Sequence, residues 1–262
     1  MHNNLMAWAH NLLIVVHFAG HPADMDSILS VTEQRNISVI EDCAQAHGAK
    51  ISGRSVGAIG NMGAWSFCSD KIISTGGEGG IVASKDPELV DFVWRLKDHG
   101  KNPSKLGSHL PSYPLVHDSL GTNWRMTEIQ CAIGLNQLQK LRSWGEARRQ
   151  NLFSVWEELE PIDCVRIPRV RDECTHAAYK GYFFVRPDAL KPSWSRNRIC
   201  VELQKIGVPA QQGSCSEIYL EAAFGYLKQT MGALPIAHEL GETAIAFPVH
   251  QLIDDDIRSG MI

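Results

Sequence analysis

The feature that most constrains this chain is a pair of short apolar runs on either side of a helical segment. "LLIVVHF" covers 12–18 and "ISVIED" covers 37–42; both have strand length and are rich in branched aliphatic residues. Neither run alternates polar with apolar, so each strand would have to be covered on both faces. Between them, "HPADMDSILSVTEQRN" carries Asp24 and Asp26 near its start and turns Ile28, Leu29 and Val31 inward, the pattern of a capped helix. Strand, helix and strand in that order predict an α/β fold, with a mainly parallel sheet flanked by helices.

The rest of the chain extends this pattern. A glycine-punctuated loop (53–63) leads to two more short strands, "AWSFC" (64–68) and "GGIVAS" (79–84), separated by the loop "SDKIISTGGE". "DPELVDFVWRLKDHG" (86–100) is an amphipathic helix, opened by Asp86 and Pro87 and closed by Gly100. Residues 101–123 show little periodicity and read as an irregular excursion. From Met126 to about Glu160 the pattern is helical, with Ile129, Ile133, Leu138 and Leu141 on its apolar side. A helix of that length often bridges two domains. Beyond Pro161 the texture changes to short strands (178–187) and a helix near 194–206. The expected organisation is therefore a larger domain over 1–150 and a smaller α+β domain over 151–262.

Composition excludes several classes. A net charge of −4 leaves no basic footprint for nucleic acid. No apolar run reaches the roughly 18–20 residues that span a bilayer. The seven cysteines are scattered and form no C-x-x-C pair, which argues against a disulfide framework or structural zinc and for a reducing cytoplasm. The histidines show neither H-x-H nor H-E-x-x-H spacing, so no metal site is expected.

Four polar residues, with His47 beside one of them, follow strands or sit in or beside the glycine-rich loop. Asp42 ends "ISVIED", and ligands in open α/β sheets bind beyond the carboxyl ends of strands. It could cap a helix or hold the proton of a ring nitrogen. Gln45 could hydrogen-bond a ring substituent or be an ordinary loop residue. His47, in the same turn, could support such a site or be structural. Ser66 is a candidate phosphate ligand or a strand serine bonded to backbone. Lys71 precedes "STGGEGG"; most lysines are solvated, but one held at a strand edge among glycines could form an imine with an aldehyde cofactor.

Taken together, these segments resemble the DegT/DnrJ/StrS family of sugar aminotransferases, within the fold type I enzymes that use pyridoxal 5′-phosphate (PLP). "VHFAGHPADMDSI", "VIEDCAQAHGA", "SFCSDKIISTGGEGG", "LGTNWRMTEIQCAIGLNQL" and "FPVH" occur in the family's order. The resemblance implies that Lys71 is the Schiff-base lysine, that Asp42 pairs with the pyridinium nitrogen, and that Gln45 lies at the phenolic side of the ring. It implies that Ser66 binds the cofactor phosphate and that Asn123 serves the neighbouring subunit's phosphate in a homodimer with shared sites. Arg125 and His250 would lie near the substrate or the dimer contact. The implied reaction moves an amino group from an amino acid, usually glutamate, to a keto group on a nucleotide-linked sugar.

The resemblance also carries an expectation about length. Family members are longer, mostly at the front, and residues 1–17 contain neither the glycine-serine-threonine phosphate turn nor the stacking aromatic. The chain as given is therefore expected to be a shortened copy that binds PLP weakly or not at all, and its end at Ile262 to fall inside a final helix. Two rivals stand beside the aminotransferase reading. A related sugar dehydratase would carry histidine in place of Lys71. A non-catalytic remnant or partner subunit would lend Asn123 to another chain's site.

Overall fold

The structure is a computed structural model that describes residues 11–105, 116–213, 216–226 and 232–253. The first ten residues and the segment 254–262 lie outside the described residues, and with them most of the stretch 1–17 read for a phosphate turn and the chain end expected in a final helix. Contacts divide the chain into two units: Met1–Arg142 with Glu173–His176, and Ser143–Asp172 with Ala177–Ile262.

The first unit is built on a four-stranded sheet in the order β1-β2-β5-β6. Strands β1 (Leu12–Val16), β2 (Ser38–Asp42) and β5 (Met62–Ser66) run parallel, and β6 (Gly80–Ser84) returns antiparallel to β5. Helix α1 (Met25–Glu33) makes the crossover from β1 to β2, as parallel pairing requires. Asp24 caps it by accepting from Ser27 N at 3.3 Å. Val15 and Val39 are buried, whereas Leu12, Ile14 and Val16 on the other face of β1 stay 45–60% exposed. Helix α2 (Pro87–Lys97) begins where the sequence places it, with Asp86 accepting from Glu88 N and Leu89 N and Pro87 in the first turn.

The glycine loop after β2 contains a small hairpin, β3 (Lys50–Ile51) with β4 (Arg54–Ser55). Its other neighbour is β8 (Cys174–Thr175), which is why a segment distant in sequence joins the first unit. Helix α3 (Glu128–Leu159) is continuous over 32 residues and carries the chain from one unit into the other, the division falling between Arg142 and Ser143.

In the second unit an antiparallel sheet has the order β10-β11-β9-β7, with β7 (Val165–Arg166), β9 (Gly181–Val185), β10 (Gln211–Gln212) and β11 (Ala244–Phe247). Leu152, Val155 and Trp156 of α3 pack on Phe183, Ile245 and Phe247, joined by Cys200 of α4 (Arg196–Lys205). Trp156 Nε1 donates to Tyr182 O at 2.9 Å, so the buried indole is satisfied. Gly181 is required on β9, because a Cβ there would collide with the Phe247 ring. Helix α5 (Pro235–Thr243) runs into β11. Among the described residues no helix is long and apolar enough to cross a membrane.

Candidate active site

Pairing of β2 with β5 sets the site. Asp42 is in register with Ala64, and Ser66 lies two residues further along β5. Side chains alternate along a strand and in-register neighbours share a face, so Asp42 and Ser66 project from the same face at the carboxyl ends of adjacent strands. Asp42 Oδ1 accepts from Ala44 N at 2.9 Å, closing the turn after β2. Ser66 Oγ accepts from Cys68 N at 3.2 Å, which leaves its hydroxyl hydrogen for another acceptor.

Gln45 lies in that turn, and its Oε1 accepts from Ala19 N at 2.7 Å. A backbone N–H can only donate, so the oxygen must face Ala19 and both amide hydrogens are left for a further acceptor. Ala19 has φ 56, a conformation that residues with a Cβ rarely adopt, and this contact helps to hold it. His47 is buried and packs against the Phe67 ring, with centroids 5.9 Å apart.

Lys71 sits in the loop between β5 and β6. Phe67 N donates to Gly79 O at 2.8 Å and Thr75 N to Phe67 O at 3.2 Å, so the loop is pinned at its base. Ile72 and Ile73 are buried and anchor it inward. The lysine side chain is 15% exposed, and its Nζ lies 3.4 Å from Asp70 Oδ1, whose side chain is 53% exposed. A largely shielded amine on a fixed loop differs from the usual solvated lysine.

Behind Asp42, on the opposite face of β2, the structure holds a group that the sequence reading passed over. Glu41 is fully buried and accepts from Gly57 N (2.7 Å), Ile59 N (2.8 Å), Gly60 N (2.6 Å) and His17 Nε2 (3.0 Å). His17 Nδ1 accepts from Ala23 N at 3.0 Å, which requires the ring proton on Nε2, facing Glu41. Burial pushes the Glu41 carboxyl up, but the bonds from His17, Gly57, Gly60 and Ile59 outweigh it and hold the group below the usual carboxylate range. Cys43 Sγ lies with these groups, and His17, Glu41 and Cys43 could together face a metal. The carboxylate is already saturated by N–H donors. Burial and the charges of Glu41 and Asp42 push the thiol strongly up, against thiolate formation. The cluster therefore fits a hydrogen-bonded core. Its sequence signals were a histidine closing an apolar run and a charged residue inside a buried strand.

Asn123 and Arg125 come together elsewhere in the first unit. Arg125 Nε donates to Asn123 Oδ1 at 3.2 Å, and its Nη1 lies 3.2 Å from Asp98 Oδ1. Lys101 Nζ lies 3.1 Å from the same oxygen. Burial raises the Asp98 carboxyl, yet the Lys101 hydrogen bond and the Arg125 and lysine charges leave it lowered overall. Both Asn123 and Arg125 remain exposed.

His250 belongs to the second unit. Asn151 Nδ2 donates to His250 O at 3.0 Å, and Arg148 Nη1 donates to Gln251 Oε1 at 3.3 Å, so two residues of α3 hold the turn after β11. Leu252 N donates to His250 Nδ1 at 3.3 Å, leaving Nε2 as the protonated nitrogen. Burial, together with the Arg148 charge, pushes the imidazole below its ordinary value.

Comparison with known proteins places the chain among aminotransferases. Residues 8–259 match the profile of the DegT/DnrJ/EryC1/StrS aminotransferase family. The crystal structure of an aminotransferase from Psychrobacter cryohalolentis superposes with a TM-score of 0.91 at 43% identity, covering 96% of this chain and 66% of that one. An uncharacterised protein of Methanocaldococcus jannaschii is 31% identical over 94% of this chain and 64% of its own length. A dTDP-3-amino-3,4,6-trideoxy-alpha-D-glucose transaminase of Streptomyces venezuelae is 27% identical over 90% of this chain and 58% of its own length. The chain thus spans less than two thirds of each of these relatives.

Proposed function

The chain belongs to the DegT/DnrJ/EryC1/StrS aminotransferase family, and on that premise we propose that it acts in PLP-dependent transfer of an amino group to a keto group of a nucleotide-linked sugar. The observation that carries this reading is the shielded Lys71 amine on a pinned loop between β5 and β6, beside strand ends that present Asp42 and Ser66 on one face. The donor set fits the cofactor: an amine for its aldehyde, a carboxylate for its ring nitrogen, a hydroxyl for its phosphate and an amide for its phenolic oxygen. When bound, PLP supplies an electron sink that makes a carbon-bound proton of the amino donor removable.

The chain's own residues would then divide the work. Lys71 Nζ holds the proton and moves it between the donor's α-carbon and the cofactor side, from a position largely closed to water. The Asp42 carboxylate keeps a proton on the ring nitrogen by charge, while Ala44 N fixes its orientation. Gln45 points N–H donors away from Ala19, as the phenolic oxygen requires. Ser66 donates its hydroxyl to the phosphate. For the remaining positions, Asn123 would serve the phosphate site of a second copy. Arg125 and His250 would serve the sugar-nucleotide side, His250 as a neutral donor through Nε2. Glutamate is the amino donor we expect, and the sugar substrate class follows the dTDP-sugar relative.

The test is borohydride trapping at saturating PLP, followed by mass analysis of the modified peptide. Label at Lys71, lost in Lys71→Ala with the far-ultraviolet circular dichroism unchanged, is expected. Label confined to other lysines, or unchanged in Lys71→Ala, would overturn the assignment.

A further inference from the structure

Three residues on one face of α3 meet the lysine loop. Gln137 Oε1 accepts from Ser74 N at 2.7 Å, and Gln130 Nε2 donates to Glu78 O at 2.6 Å. Between them lies Gly134, where a Cβ would come within 2.9 Å of Thr75 Cγ2. Positions 130, 134 and 137 recur at helical spacing and share one face. The loop approaches from its own side with Gly76, at φ 79, where a Cβ would lie 3.0 Å from Ile133 Cδ1. Helix and loop therefore touch through glycines and are tied by amides on both sides of that contact.

Both amide orientations are forced. Ser74 N can only donate, so Gln137 must present oxygen; Glu78 O can only accept, so Gln130 must present nitrogen. The other end of the Gln130 amide is also occupied, since its Oε1 accepts from Thr127 N at 2.8 Å. Gln130 is thus a strut fixed to the start of α3, and Gln137 grips the loop three residues beyond Lys71.

We propose that Gln130 and Gln137 are positioning residues that fix the Lys71 loop, and hence the lysine amine, relative to the end of β5. The proposal rests on the reading of Lys71 given above. Neither glutamine need touch a substrate: each acts through the loop backbone. Without the Gln137 oxygen, the stretch from Lys71 to Ser74 would lose its hydrogen bond to the helix and be held by Ile72 and Ile73, with the helix reaching the loop only further on, at Thr75, Gly76 and Glu78. A displacement of the reacting group by about 1 Å is enough to slow chemistry by roughly 100-fold.

The experiment follows two readouts in the full chain. Amide hydrogen exchange of 69–79, measured without PLP, reports the clamp itself; the rate of borohydride-trapped labelling at Lys71 reports the amine's placement. Gln137→Leu removes the acceptor, and exchange across 72–76 should rise about tenfold, the equivalent of one lost hydrogen bond. Labelling at Lys71 should slow by a similar factor. Gln137→Glu keeps an acceptor oxygen at the same reach and should restore both readouts towards the unsubstituted chain. Gln137→Asn keeps the amide but withdraws its oxygen, and should behave like Gln137→Leu should the apolar variant not fold. Unchanged exchange in Gln137→Leu or Gln137→Asn would overturn the clamp, as would raised exchange with unchanged labelling rate. Absence of label at Lys71 in the unsubstituted chain would instead overturn the functional reading, with the exchange data still deciding whether α3 holds the loop.

Discussion

Glu41 and Asp42 are consecutive on β2 and point to opposite faces, one into a saturated nest and the other into the candidate site. That division predicts different phenotypes for similar changes. In Asp42→Asn a neutral amide cannot hold the ring-nitrogen proton by charge, so amino transfer should fall by roughly 100-fold or more while Lys71 is still labelled. Near-normal turnover in that variant would reduce Asp42 to a turn residue. Glu41→Gln places an NH2 against buried N–H donors, and chemical denaturation at neutral pH should show a loss of roughly 3 kcal/mol. The sign of the pH dependence follows from the lowered Glu41 carboxyl. A depressed folded value contributes stability above the ordinary carboxylate value of about 4.3, and that stability is lost as pH falls through the lowered folded value. The unfolding midpoint should therefore drop as pH falls from the ordinary carboxylate value towards the lowered folded one, and Glu41→Gln should flatten that acid limb.

At the scale of elements, the helix starts were the most legible features. Asp86 followed by Pro87 announces α2, and both act there as the capping rules require. Asp86→Ala should cost about 1 kcal/mol in urea denaturation, leaving the candidate site unaffected. Loops were legible only as loops. The run "SDKIISTGGE" shows where flexibility is permitted, but not that Ile72 and Ile73 turn inward or that Gln130 and Gln137 tie the segment to α3. Those bonds join residues 52 or more positions apart, and no local pattern encodes such pairs. The β3–β4–β8 sheet was missed for the same reason: strands of two residues leave no periodicity, and β8 pairs across more than a hundred residues.

For the molecule as a whole, each unit carries its own packing, and predictions can be made within each. Leu152 is fully buried in the core of the second unit, so Leu152→Ala should destabilise that unit by roughly 2–5 kcal/mol, read as faster hydrogen exchange in β9 and β11. Arg148 is buried, and burial lowers its guanidinium to about 10. Its charge, after burial, is the second cause of the lowered His250 value, so Arg148→Met should raise the His250 pKa in an NMR titration. An unchanged titration would show that burial alone sets it.

The sequence by itself determined the α/β class, the order of the principal strands and helices, and the family, because periodicity, capping and ordered motifs are local signals. It also named the candidate site residues, since Asp42, Gln45, Ser66 and Lys71 each follow a strand or border a glycine turn. Only the tertiary structure decided which faces these residues share, that Gln45 must turn its oxygen to Ala19, that Glu41 is a saturated buried anion, and that α3 grips the lysine loop. Strand register and long-range hydrogen bonds set those facts, and they arise when distant segments pack, which no window of sequence contains.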